Sequence, residues 1–248
     1  MPELKCSEPI RRLAYLTLFC LGLALGLGAR AAESSREVRD LSSPFDKVQL
    51  SGPIDLVLVQ GQTNSLVLEA DPRLLSYVKT QVRDGVLEVR YEGVHISLLH
   101  SSSGPRAILT VPRLRRISSA GSGDIRCETW TSPDDLEVSI AGSGEIRMSG
   151  LTVPKIAVRI AGNGDIELAG SVPEQEIHIS GAGDYNGESL KSARAAIGIA
   201  GAGDAVVWAT DTLSVNLAGA GEVKYYGHPV LNRSVAGVGD VHSLGDKP

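Results

Sequence analysis

One phrase recurs through the second half of this chain and limits what it can fold into. It is Gly-x-Gly followed by an acid, flanked by apolar residues. It reads Ser119-Ala120-Gly121-Ser122-Gly123-Asp124-Ile125 at its first occurrence and Ile140-Ala141-Gly142-Ser143-Gly144-Glu145-Ile146 at the next. Further copies begin their triplets at Gly162, Gly181, Gly201, Gly219 and Gly237, so successive leading glycines lie 21, 20, 19, 20, 18 and 18 residues apart. Such a period signals stacked repeats, because a lone unit of ~20 residues cannot bury its apolar edge and neighbours can bury it together.

Alignment on the leading glycine exposes columns. Two residues before it stand Ser119, Ile140, Ile160, Ile179, Ile199, Leu217 and Val235; four before stand Ile117, Val138, Val158, Ile177, Ile197, Val215 and Arg233. Four after stand Ile125, Ile146, Ile166, Tyr185, Ala205, Val223 and Val241, and six after stand Cys127, Met148, Leu168, Gly187, Val207, Tyr225 and Ser243. These positions share one parity and are mostly apolar, while the other parity carries residues such as Ser139, Arg159, His178, Arg147 and Glu167. Period-two alternation means strands with one buried face. The sequence therefore predicts an all-β parallel solenoid with about 20 residues per coil. About seven coils in this half would stand roughly 30 Å tall at the ~4.8 Å spacing of paired strands. A meander of hairpins would alternate strand direction and gives no reason for one glycine triplet per coil.

The triplet suits a tight corner, where the backbone needs positive φ or close approach. Stacked corners also stack Asp124, Glu145, Asp165, Asp184, Asp204, Glu222 and Asp240. Like charges ~4.8 Å apart repel by ~0.9 kcal/mol in water and by ~3.5 kcal/mol at an effective dielectric of ~20. The column must be solvated, bonded to backbone donors or neutralised by cations. Bonding to backbone N–H groups is the expectation, since an acid beside a turn accepts them readily. Calcium is not expected, because Ca²⁺ takes about six to eight oxygens and each bend offers one acid.

The N-terminus reads as an address. Lys5, Arg11 and Arg12 precede an apolar run from Leu13 to Gly28, followed by Ala29-Arg30-Ala31. This is the pattern of a signal peptide over residues 1–31, cut after Ala31. The run falls short of the ~20 residues of a membrane helix, and Phe19 before Cys20 does not suit a lipoprotein site. Cleavage removes four basic and two acidic residues, taking the net charge from -5 to -7. An acidic chain without a basic stripe is not expected to bind nucleic acid. Only Cys127 then remains of the 3 cysteines, so neither an intrachain disulfide nor a cysteine metal cluster is expected.

Residues 32–44 are polar and read as a linker. From Phe45 onward Val48, Leu50, Ile54, Leu56, Leu58, Leu66 and Leu68 alternate with polar neighbours, and Ser51-Gly52-Pro53-Ile54-Asp55 is a degenerate bend. Asp71-Pro72 opens a helical turn, and Asp84-Gly85 predicts a hairpin between Thr80–Val82 and Val86–Val89. Residues 45–244 form one solenoid, its first half being opening coils with a decorated cap, and 245–248 a tail.

Phe45-Asp46-Lys47-Val48, Gly52-Pro53-Ile54-Asp55-Leu56, Asp84-Gly85-Val86-Leu87 and the seven Gly-x-Gly-acid copies together resemble the bacterial head GIN domain family, also described as auto-transporter adhesin and as domain of unknown function 2807. The resemblance spans about residues 45–244. It implies a right-handed parallel β-helix and an exported bacterial protein of the periplasm or cell surface, and it carries no catalytic or binding residues with it. The repeats run to Asp240 of 248 residues, so no translocator barrel is expected within this sequence.

Chemistry is sparse. His178 and His242 fall on the outward parity three coils apart and cannot share a ligand; His95, His100 and His228 have no partner at metal spacing. Cys127 falls in a buried column, where a thiol behaves as a small hydrophobe. No nucleophile elbow, phosphate loop or zinc signature occurs, so no catalytic residue, cofactor or metal is assigned. Trp208 and Tyr226 each stand seven residues after their glycines, on the outward parity of neighbouring coils, with Trp130 as a possible extension of the strip. Exposed aromatics there would stack on sugar rings. The expectation is a non-enzymatic cell-envelope module, adhesin-like or structural, whose partner is an envelope protein or glycan, with no membrane span once the leader is cut. The alternative is a carbohydrate-active enzyme on a β-helix, which needs clustered carboxylates or a Lys/Arg base in a groove. Self-association through solenoid ends is a third expectation.

Overall fold

The computed structural model describes residues 35–41, 43–93 and 104–247; the segment 1–31 read as a signal peptide, His95 and His100 lie outside them. The alternating columns become strands. The first-half strands are β1 (Ser35–Arg39), β2 (Lys47–Ser51), β3 (Asp55–Gln60), β4 (Ser65–Ala70), β5 (Val78–Arg83), β6 (Val86–Tyr91) and β7 (Arg106–Val111), with one short helix, α1 (Pro72–Leu75). The repeats begin with β8 (Arg116–Gly121), β9 (Ile125–Cys127), β10 (Trp130–Thr131), β11 (Leu136–Gly142), β12 (Glu145–Thr152) and β13 (Lys155–Gly162). Three long strands, β14 (Asp165–Gly181), β15 (Tyr185–Gly201) and β16 (Ala205–Gly219), then run from one bend to the next, before β17 (Glu222–Tyr226), β18 (Val230–Gly237) and β19 (Asp240–Gly245).

Every pairing within the repeats is parallel; the strands that lead into each bend stay in register, while the strands that leave it shift register between β12 and β14, β14 and β15, β15 and β16, and β17 and β19. Val138 pairs with Ile117 and Val158, Ile177 with Val158 and Ile197, and Val215 with Ile197 and Arg233. The seven bends thus bound about six full turns of ~20 residues. The inward files are sealed: Val138, Val158, Ile177, Ile146 and Leu168 are each 0% exposed.

The bend needs both of its glycines. Gly181 has φ +135°, and a Cβ there would stand 2.3 Å from the Gly162 carbonyl oxygen. Gly183 has ordinary φ, yet a Cβ on it would stand 2.2 Å from the Gly164 carbonyl oxygen. The close approach lets the residue between the glycines bond to the coil below, as in Ala182 N–H to Gly162 O at 3.0 Å and Ala202 N–H to Gly181 O at 2.9 Å.

One file varies in size without leaving a gap. Tyr185 replaces the isoleucines of its column, Gly187 stands two residues on, and Ala205 lies in the next coil. A Cβ on Gly187 would lie 2.7 Å from the Tyr185 hydroxyl, so the ring fills the space that two small residues leave.

The first half is built differently. The degenerate bend is real, since Gly52 has φ +100° and its carbonyl underlies Gly121. Coil β2–β3 therefore supports β8–β9, with Val48 paired to Ile117 and Leu56 to Ile125. On its other edge, however, lie β6 and β7, again parallel. A later stretch of chain thus stacks outside an earlier one. Antiparallel strands close this end, with β5 on β6, β4 on β7 and β1 on β4. The Asp84-Gly85 turn has φ of +51° and +74°, the two positive values that a two-residue hairpin demands. Asp71 caps α1 by accepting Arg73 N–H at 2.9 Å, and Leu74 and Leu75 bury against the core.

One correction follows for the segment read as a 32–44 linker. It contains β1, held by Arg36 to Glu69 at 2.5 Å and by Arg39 Nη2 to the carbonyls of Leu75 and Val78 at 3.4 Å. Its polar composition is that of an edge strand, where charged side chains discourage further pairing.

Candidate functional site

The acid column lies along one corner of the tube, and its chemistry is fixed by side-chain length. Asp55 Oδ1 accepts the N–H of Asp124 at 3.1 Å, and Asp124 Oδ1 accepts that of Glu145 at 3.1 Å. The pattern resumes above: Asp165 accepts from Asp184 at 3.0 Å, Asp184 from Asp204 at 2.9 Å and Asp204 from Glu222 at 2.7 Å. Each aspartate thus bonds to the backbone of the next coil. The glutamates do not. Glu145 turns to Arg147 at 2.5 Å and Glu222 to Lys224 at 2.7 Å. The donors they leave, Asp165 N–H and Asp240 N–H, bond instead to the carbonyls of Gly144 at 3.1 Å and Gly221 at 3.3 Å. Asp240, in the last coil, accepts from Val241 N–H at 2.7 Å. The column borders a shallow trough of about 340 Å³. Among the described residues no group of three or more His, Cys, Asp and Glu side chains is placed to hold a metal ion.

Adjacent faces are laced by ion pairs between coils. Arg116 and Arg159 both reach Glu137, and Lys155 reaches Glu174 at 3.0 Å and Glu176 at 2.7 Å. Glu176 also meets His178 at 2.9 Å. Its carboxyl is held down to about 2, first by the hydrogen bond from Lys155 and then by that from His178. Such exposed pairs contribute about 0–1 kcal/mol each; they match coil to coil more than they stabilise.

The aromatic strip is partly assembled. Trp208 and Tyr226 pair in register across β16 and β17, both half-buried. Lys191 stands in register on the coil before, its Nζ 5.5 Å from the Trp208 ring centroid, and Lys247 Nζ lies 4.5 Å from that of Tyr226. Both rings therefore carry an ammonium group over a face. Trp130 does not belong to the strip. It is 0% exposed, in β10 beside Leu151, and its indole N–H has no partner among the described residues. The parity counted from Gly121 ends where β9 stops at Cys127, and β10 begins a new strand with its tryptophan inward.

Several polar groups were not singled out in the sequence. Gln175 is 0% exposed inside the tube. Its Oε1 accepts the Tyr185 hydroxyl at 2.9 Å and its Nε2 donates to Ser192 Oγ at 2.8 Å, while Ser192 donates to the Trp208 carbonyl at 2.9 Å. Burial raises the Tyr185 hydroxyl far above the ordinary phenol range, so it stays a donor. The available signal was a lone glutamine in the file Leu136, Ile156, Gln175, Ala195, Leu213. Gln60 likewise clamps Thr131, donating to its carbonyl at 2.6 Å and accepting its N–H at 3.0 Å. A groove of about 950 Å³ runs beside it, bordered by Val57, Val59, Gln62, Pro112, Arg126 and Glu128. Cys127 is a free, buried thiol pushed up to about 11 by desolvation.

Known structures share this architecture. A crystal structure described as a "putative adhesin" from Bacteroides fragilis matches with a TM-score of 0.76 at 22% identity, covering 86% of this chain and 97% of that one. A "putative lipid binding protein" and a "putative adhesin", both from Parabacteroides distasonis, match with TM-scores of 0.67 and 0.66 at 21% and 20% identity, each covering 86% of this chain and 98% of the other. At such identities the likeness speaks for the fold. No functionally curated protein matches. The model of the family described as "Putative auto-transporter adhesin, head GIN domain" matches residues 44–229. In-register coils, a glycine corner at each turn and a family match over most of its length place the chain together: it belongs to the head GIN domain family.

Proposed function

We propose that this chain is an exported, non-enzymatic module of the cell envelope that presents one lateral edge of its solenoid to a surface glycan. The observation that carries the reading is the pair Trp208 and Tyr226, in register on adjacent coils and half-buried. Aromatic faces on the outer surface of a rigid sheet suit the apolar faces of sugar rings. Lys191 and Lys247 move aside on binding or hydrogen-bond the ligand's hydroxyls. The basic leader and apolar run support export. The bend aspartates bond to backbone along one corner rather than facing one another across a cleft, which favours binding over hydrolysis.

The test is the exported chain, purified and screened against an array of envelope polysaccharides, with turnover followed in parallel. Binding that falls at least tenfold in Trp208→Ala, with the thermal midpoint unchanged, supports the reading. Turnover abolished by mutating one of the bend acids overturns it in favour of a carbohydrate-active enzyme. Binding indifferent to both Trp208→Ala and Tyr226→Ala removes the site from this edge.

A further inference from the structure

The two ends of the stack differ in how they meet solvent. One is closed by the antiparallel strands β1, β4 and β5. At the other, β18 and β19 form the last described coil, and nearly every residue of β18 is exposed. A parallel coil with a free edge offers unpaired backbone groups to any second strand. Apolar side chains add to the hazard, with Val230 66%, Val235 40%, Val238 87% and Leu244 42% exposed.

The inward files change at this coil. The file of Ile117, Val138, Val158, Ile177, Ile197 and Val215 ends in Arg233, which pairs with Val215. The file of Cys127, Met148, Leu168, Gly187, Val207 and Tyr225 ends in Ser243, which pairs with Tyr225. Yet the coil beneath stays sealed: Leu213 is 0%, Val215 1%, Leu217 2% and Val207 0% exposed. An arginine can do both tasks, laying its methylenes over an apolar neighbour while its guanidinium stays in water. A further coil stacked here would bury that charge opposite an apolar file, and an unpaired buried charge is among the costliest groups in a protein.

We propose that Arg233 terminates the stack: it seals the file below and prevents a second copy of this chain from adding its coils to the open end. A cation at an inward position of an edge strand is a recognised guard against edge pairing. Ser243 reinforces it weakly, since a hydroxyl is buried at far smaller cost than a charge.

The experiment compares the full chain, expressed with its own leader and purified after export, by light scattering over a hundredfold range of concentration. The parent and Arg233→Lys remain monomeric. Arg233→Val continues the valine and isoleucine file, keeps the same circular dichroism spectrum and associates with a dissociation constant at least tenfold lower. Adding Val235→Lys to Arg233→Val restores a charge to the adjacent inward file and returns the protein to monomer. The proposal is overturned if the parent associates as readily as Arg233→Val, if Arg233→Val folds and stays monomeric, or if Val235→Lys fails to reverse the association.

Discussion

The repeat half and the capped end solve one problem by opposite means. In the repeats each coil is buried by a near copy of itself, so most inward positions see an apolar residue of the same file above and below. At the capped end β6 and β7 are buried by β2 and β3, which precede them in the chain, and by antiparallel strands of unrelated sequence. The repeats are specified by a spacing, the cap by individual pairs. Tolerance should follow: a fault at a stacked position propagates to its neighbours, whereas a fault in the cap stays local.

The sharpest test sets two glycines against each other. In the stack, Gly181→Val forces a Cβ to within 2.3 Å of the Gly162 carbonyl and a branched residue to φ +135°. Strain and overpacking together should cost about 3–5 kcal/mol. Urea unfolding should show a much lowered midpoint or no folded protein. In the cap, Gly85 has φ +74° but nothing closer to its Cβ position than Asp46 Oδ1 at 3.8 Å. Gly85→Ala should cost only about 1–2 kcal/mol, the ordinary left-handed penalty. Equal costs would break the contrast.

Next in size is the buried polar cluster. Tyr185→Phe keeps the ring that fills the space beside Gly187 but strips Gln175 Oε1 of its donor. An unsatisfied buried acceptor costs about 1–3 kcal/mol. Tyr185→Phe with Gln175→Leu should recover part of that loss, because no polar group is then left waiting. If the single variant is as stable as the parent, the cluster is not what holds the tube closed at this coil.

A smaller effect separates aspartate from glutamate in the bend column. Asp184→Ala removes the acceptor of Asp204 N–H and should cost about 1 kcal/mol. Glu145→Gln should be close to neutral, because Asp165 N–H already bonds to Gly144 O. A large loss in the glutamate variant would show that charge, rather than backbone bonding, governs the column.

What the sequence disclosed follows the same division. The inward files, both glycines of each bend, the Gly52 corner and the Asp84-Gly85 hairpin were legible because each is encoded by residues adjacent in sequence or at one fixed period. The outward stacking of β6 and β7 was not, since no spacing records which earlier strand a later one chooses. Trp130 was misplaced because parity carries along one strand only, and the break after Cys127 resets it; Trp208 lies within the unbroken β16, where the count survives. The strand at Ser35–Arg39 was hidden because an edge strand needs little apolar residue. Of the candidate surface, the pair Trp208 and Tyr226 could be read from register, but the lysines over the rings could not. Lys191 belongs to a stretch where the β15–β16 register shifts, and Lys247 reaches back from beyond β19.

The smallest expected effect compares one acid from each region under acid. Asp71, in the cap, is lowered from 3.8 to about 2, chiefly by the side-chain hydrogen bond from Arg73; Glu176, in the stack, is lowered from 4.5 to about 2, chiefly by that from Lys155. Both ionise more readily folded than unfolded, so the stability they lend is present above the ordinary carboxylate range and is lost as pH falls toward about 2. Asp71→Asn and Glu176→Gln should each flatten the acid limb of a stability-against-pH curve in that window, with little change in its shape above it. The Glu176 share should stay below about 1 kcal/mol and shrink with added salt, as for any solvent-screened pair. Amide exchange at pH 3 should then tell the regions apart. Asp71→Asn should quicken exchange only around α1 and β5, whereas Glu176→Gln should quicken it across β13, β14 and β15 together, because a coil cannot loosen without its neighbours. Exchange that quickens locally in both variants would mean that the stack is no more cooperative than its cap.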